Sequence, residues 1–184
     1  MGTNVYGIDK IWMVNVGDLK PMELPISYFL DMAYDFDTWG SSAINTCDEY
    51  AEQWTIQQFG KTLDEKGIQD VASLLEDYTW LNNLKKPEAI RSNTYSIAND
   101  NEAQRILQKS KEMIELADKY SDIVSDDLQA AYFELVYYPV VATANVVQMY
   151  IYSGLNEMYF TQGRTSANIY ANLVEDAIER DKSL

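Results

Sequence analysis

Apolar residues in this chain recur at helical spacing almost everywhere, and one short run near the start does not. Ile68, Val71, Leu75 and Tyr78 step by three, four and three, which lays them along one face of a helix. By contrast, Ile11, Trp12, Met13, Val14 and Val16 are nearly continuous, interrupted by Asn15 and closed by Gly17, Asp18 and Pro21. That pattern predicts a short buried β-strand. A single strand leaves its backbone N–H and C=O groups without ladder partners, and burying them unpaired is costly. A strand over 11–16 therefore needs a sheet, and the rest of this sequence encodes helices.

Those helices can be followed in order. Residues 25–36 predict a short one, with Pro25 in its first turn and Phe29, Met32 and Ala33 on one face. Thr46 and Glu49 have capping-box spacing ahead of a second helix. Its apolar side is Tyr50, Trp54, Ile56 or Gln57, and Phe59, and Gly60 ends it. A similar start, Thr62 to Glu65, opens the helix that carries the Ile68 stripe. Residues 82–96 are polar, contain Pro87 and read as an irregular connection. A longer helix follows over 100–120 with Ala103, Leu107, Ile114 and Ala117 facing inward. Ser125 can cap the next, Pro139 kinks or restarts it, and it reaches position 160. The last, over 166–180, is expected to bury Ile169, Leu173, Val174 and Ala177. The fold class expected is all-α, an up-and-down bundle of about five helices preceded by one β-strand.

Charge and residue types narrow the chemistry. The net charge of -15, from 29 acidic against 14 basic residues, argues against nucleic acid and anionic membrane partners, which require basic patches. The absence of histidine removes imidazole bases, Ser-His-Asp and Cys-His triads and the usual zinc sites; no metal and no cofactor is expected. Cys47 is the one cysteine, so no internal disulfide forms, and the following Asp48 and Glu49 would raise its thiol pKa rather than activate it. Residues 1–10 lack a basic start and an apolar core, so they are not expected to act as a signal peptide. Residues 135–155 carry no charge, which is about the length of a membrane span. Pro139, Thr143, Asn145 and Gln148 within them favour a central buried helix instead.

Residues that could carry chemistry gather just past the expected strand: Asn15, Asp18, Lys20 and Glu23. In parallel-sheet and barrel folds that rim is where ligands bind. Asn15 either contacts a ligand there or, with Asp18, satisfies the backbone of a tight turn. The adjacent carboxylates Asp64/Glu65, Glu76/Asp77, Asp126/Asp127 and Glu175/Asp176 fall on polar faces or helix starts, where acids favour the helix dipole. Tyrosines at helical spacing, among them Tyr132, Tyr137, Tyr138, Tyr150, Tyr152 and Tyr159, are expected to pack at the core edge with a wet hydroxyl. Arg164 lies by a helix start, where capping by Thr165 or Ser166 is favoured over an anion site. These residues do not compose a complete catalytic site.

The segments 11–36 (IWMVNVGDLKPMELPISYFLDMAYDF), 49–60 (EYAEQWTIQQFG), 84–88 (LKKPE), 131–145 (AYFELVYYPVVATAN) and 156–171 (NEMYFTQGRTSANIYA) carry a resemblance. Over nearly its full length the chain resembles the family 115 glycoside hydrolases, the xylan α-1,2-glucuronidases. The resemblance implies a multidomain plan: an N-terminal domain, a TIM-like barrel with the active site, a helical bundle and a C-terminal β-sandwich. Residues 1–40 would then be the end of the barrel, its last strand and a short helix, and 41–184 the bundle. It also implies a secreted or periplasmic parent enzyme that removes (4-O-methyl-)glucuronic acid from glucuronoxylan with inversion, using two carboxylates about 6.5–9.5 Å apart. Those carboxylates would lie mostly upstream, so this chain alone is expected to be inactive. Asn15, and after it Asp18, are the positions at which substrate contact is implied. A uronate needs Arg or Lys donors, and the strand end offers Lys20. The alternative is a non-catalytic helical interaction module. A strand edge bearing Trp12 and Val14 would fray or pair with a second copy in a homodimer.

Overall fold

The computed structural model describes residues 7, 8, 10–17, 19–40 and 46–184. In chain order the helices are α1 (Glu23–Tyr34), α2 (Phe36–Trp39), α3 (Thr46–Phe59), α4 (Glu65–Leu84), α5 (Glu102–Ser121), α6 (Gln129–Tyr132), α7 (Tyr138–Thr161) and α8 (Ala167–Ser183). Phe133–Tyr137 is a stretch of π-helix that joins α6 to α7. The long helices α3, α4, α5, α7 and α8 are the five that the periodicity predicts.

α7 is the centre. It buries Val140, Val141, Ala144, Val147, Ile151 and Leu155 against α4, α5 and α8. Each valine, isoleucine or leucine so buried contributes about 1.5–3 kcal/mol, whereas a typical hydrogen bond nets about 1 kcal/mol. Apolar packing on α7 therefore dominates. α3 covers α4, and Phe59 at its end meets the ring of Tyr132 edge-on at 5.7 Å. Tyr132 is wholly buried and donates to the Ala117 carbonyl at 3.0 Å, so its hydroxyl is dry, contrary to the expected wet one. Gln129 donates to the Ser121 and Val124 carbonyls, both at 2.7 Å, and so satisfies acceptors at the end of α5.

Several local expectations are corrected. Asp64, not Thr62, caps α4: its carboxylate accepts from the Gly67 N–H at 2.8 Å, while the Thr62 hydroxyl turns back to the Phe59 carbonyl. Pro139 does not restart the helix, which runs on without interruption from the π segment. It has no N–H to give to the carbonyl four residues back, and Tyr138 bonds to Phe133, five back, so the ladder widens through a π turn. On α8, Ala177 is buried and Leu173 and Val174 are partly so, but Ile169 is exposed because α7 covers one narrow face. Ser166 precedes α8 without a side-chain capping bond. Among the described residues one helical stretch, Asp126–Thr161, is long and apolar enough to cross a membrane, and half of its apolar window is buried within the fold.

The largest correction concerns 11–16. No strand occurs among the described residues, and these six have no assigned secondary structure. A strand needs a neighbour, and the helices offer none. Trp12 instead packs on α1 and α2, its ring 5.6 Å from Phe29 and 6.0 Å from Phe36. Ile11 and Met13 are left 74% and 88% exposed.

Asp70 of α4 ties that helix to α5. Its carboxylate accepts from the Tyr120 hydroxyl at 2.6 Å and from Lys66 at 2.8 Å, with Lys119 at 3.5 Å. Partial burial pushes its pKa up, but the bonds from Lys66 and Tyr120 and the two ammonium charges outweigh it and hold the group below the usual carboxylate range. A folded-state pKa below the unfolded one adds stability above the unfolded value, about 4, that is lost as pH falls through the folded one. Asp70→Asn is expected to cost about 1 kcal/mol at pH 7 and to flatten stability against pH below about 4, read by urea titration across pH. An unchanged acid limb in the variant would contradict this.

Candidate functional site

Two places gather polar groups near apolar surface. The first is the head. Asn15 is exposed, and no hydrogen bond occupies its amide among the described residues. Asp18 lies outside the described residues. Lys20 reaches across to the π segment and pairs with Glu134 at 2.6 Å, so it is already committed. That hydrogen bond, then the charge of Glu134, raises the lysine's pKa. Glu23 opens α1, and its Oε2 is buried with no partner among the described residues. The sequence groups these four by proximity; in the fold Lys20 pairs with Glu134 while still feeling the charge of Glu23.

The second place was not foreseen. α1, α3 and α4 leave between them a cavity of about 630 Å³. Tyr28, Tyr50, Trp54, Tyr78 and Trp80 line it, with Asp48 from the first turn of α3 and Glu76 from the middle of α4. The walls are held from behind. Tyr50 stacks obliquely on Tyr28 at 4.9 Å, meets Trp39 edge-on at 4.9 Å and donates to Asp31 at 2.5 Å. Burial first, then the bond to the Asp31 carboxylate, pushes the Tyr50 phenol far above its ordinary value, so it stays a neutral donor. The Cys47 thiol, 3.6 Å from the Tyr28 hydroxyl, is exposed at the edge. Glu76 is exposed on its helix, and its pKa is raised first by partial desolvation of the carboxyl and then by the charges of Asp48, Asp77 and Glu52. Its sequence neighbour Asp77 points elsewhere and pairs with Lys109 at 2.6 Å.

The remaining carboxylate pairs stay structural. Asp64 is a cap, Asp127 accepts from Ser125 at 2.6 Å, and Glu175 and Asp176 are exposed on α8. Arg164 lies over the Tyr159 ring at 4.4 Å rather than facing an anion site. Among the described residues no three His, Cys, Asp or Glu side chains converge where they could hold a metal ion.

Residues 3–89 match the model of glycosyl hydrolase family 115. The resemblance read from the residues thus holds for the head and for α1 to α4, which includes every wall of the cavity contributed by those helices. No curated protein matches the chain. The match covers residues 3–89, a little under half of the 184-residue chain, and helices α5 to α8 beyond it share one hydrophobic core with that stretch.

Proposed function

We propose that the chain serves a glycoside hydrolase that removes (4-O-methyl-)glucuronic acid side groups from xylan, as the helical section that supports a catalytic barrel. In this reading 1–40 complete the barrel and 41–184 form the bundle beneath it. The observation that carries it is the family 115 match over 3–89, which includes the head. The head's exposure adds support: Ile11, Met13 and Leu19 present apolar surface that a barrel strand beside them would cover. Asn15, and after it Asp18, are then the positions of contact with a sugar hydroxyl or carboxylate. The acid and base belong to other barrel strands, and so does the cationic subsite for the uronate, since Lys20 is paired with Glu134. The parent enzyme is secreted or periplasmic and acts on glucuronoxylan or its oligosaccharides.

The test joins this chain to a family 115 barrel that lacks it and measures glucuronic acid released from glucuronoxylan. Release is expected only with the chain in place, and Asn15→Ala should lower kcat/KM at least about tenfold, about 1.4 kcal/mol at the transition state. A barrel equally active without the chain would overturn the proposal. The same exposed head favours a second reading, a module that pairs with another copy of itself through residues 11–16. That reading requires a dimer in light scattering at tens of micromolar, and a monomer would end it.

A further inference from the structure

The cavity between α1, α3 and α4 is lined by neither Asn15 nor Lys20, the head residues of that reading. Its volume of about 630 Å³ falls in the range of small-molecule sites, about 300–1,000 Å³. Tyr28, Trp54, Tyr78 and Trp80 give it aromatic walls, and Asp48 and Glu76, both exposed, line it from two different helices. Among the described residues neither Lys nor Arg lines it, and neither of these two carboxylates makes an ion pair. Aromatic faces carry negative potential, which attracts cations, and carboxylates add full charge. An anionic ligand such as a uronate would be repelled by both.

We infer that this cavity binds a small organic cation, a protonated amine carried on an apolar body. The apolar part lies against the tyrosine and tryptophan rings, and the ammonium sits between Asp48 and Glu76. Glu76 supports this geometry: Asp48, Glu52 and Asp77 all disfavour its charged form, and a bound cation relieves that repulsion.

The probe is phenethylammonium, titrated into the full chain at neutral pH, with 2-phenylethanol as its uncharged counterpart and tryptophan fluorescence as the readout. The ammonium is expected to bind at least tenfold more tightly than the alcohol. Glu76→Gln, a change at an exposed helix position that leaves the core intact, should remove at least fivefold of that preference while circular dichroism stays unchanged. Equal affinity for the two probes, no change on Glu76→Gln, or no binding at all would overturn the inference. So would displacement of the ammonium by a neutral xylo-oligosaccharide, which would make the cavity a sugar site. None of these outcomes depends on glucuronidase activity, so this inference and the one above fail separately.

Discussion

Phe59→Ala is expected to lower the free energy of unfolding by about 3–5 kcal/mol, the largest effect of any single truncation argued from this structure. Phe59 has no exposed surface and closes α3 against Tyr132, whose own ring is wholly buried. Removing it takes away the transfer energy of the ring and leaves a hole that the neighbours cannot fill. Tyr132 is anchored by its bond to Ala117 and sits just ahead of the π turn, so it has little freedom to collapse inward. With native stability of about 5–15 kcal/mol for a domain, the variant should lie near the edge of folding. The urea midpoint measures it, and a change below about 1 kcal/mol would mean that α3 is not part of the central core.

Gly154→Ala is the second large effect, and it arises from the opposite cause. A Cβ on residue 154 would lie 2.3 Å from the Ser92 carbonyl oxygen and 3.0 Å from Cδ1 of Ile97. The first contact is with backbone, so no side-chain rotation relieves it. The loop that presents Ser92 is itself fixed: Glu102 accepts from the Ser96 N–H at 2.8 Å, the Ala103 N–H bonds to the Ser96 carbonyl at 3.0 Å, and Asp100 and Asn101 both hold left-handed backbone at φ 54° and 53°. Either α7 or the loop must move. A loss of about 1–3 kcal/mol is expected, concentrated at the upper end, with faster amide exchange in residues 92–98. A neutral substitution would show that the close approach of α7 to this loop is not a feature of the folded protein.

How much of this was legible beforehand depends on the range of the interaction that decides each feature. The long helices are written in local periodicity, and the stripes Ile68, Val71, Leu75 and Ala103, Ile114, Ala117 face inward as read. Caps are decided by one bond, and the choice between Thr62 and Asp64 turned on which side chain faced the Gly67 N–H. The π turn was visible only as an interruption at Pro139, because whether a helix breaks or widens there depends on the neighbours that hold both halves in line. The run 11–16 has β-type residues and no partner, and a strand is a property of two segments, so its pattern alone could not make one. The cavity was illegible for a related reason. Tyr28, Asp48, Trp54 and Glu76 are scattered over 49 positions, and only the crossing of α1, α3 and α4 brings them together.

The central claim is that this chain carries structure and substrate contact for a glycoside hydrolase but not the catalytic carboxylates. The measurement that tests it most directly is release of glucuronic acid from glucuronoxylan by the purified 184-residue chain alone, at enzyme concentrations far above those at which a family 115 enzyme is active. The account predicts none above the substrate blank. Steady release that scales with chain concentration would contradict it, and would require an acid and a base among the carboxylates placed here as caps, ion pairs and cavity walls.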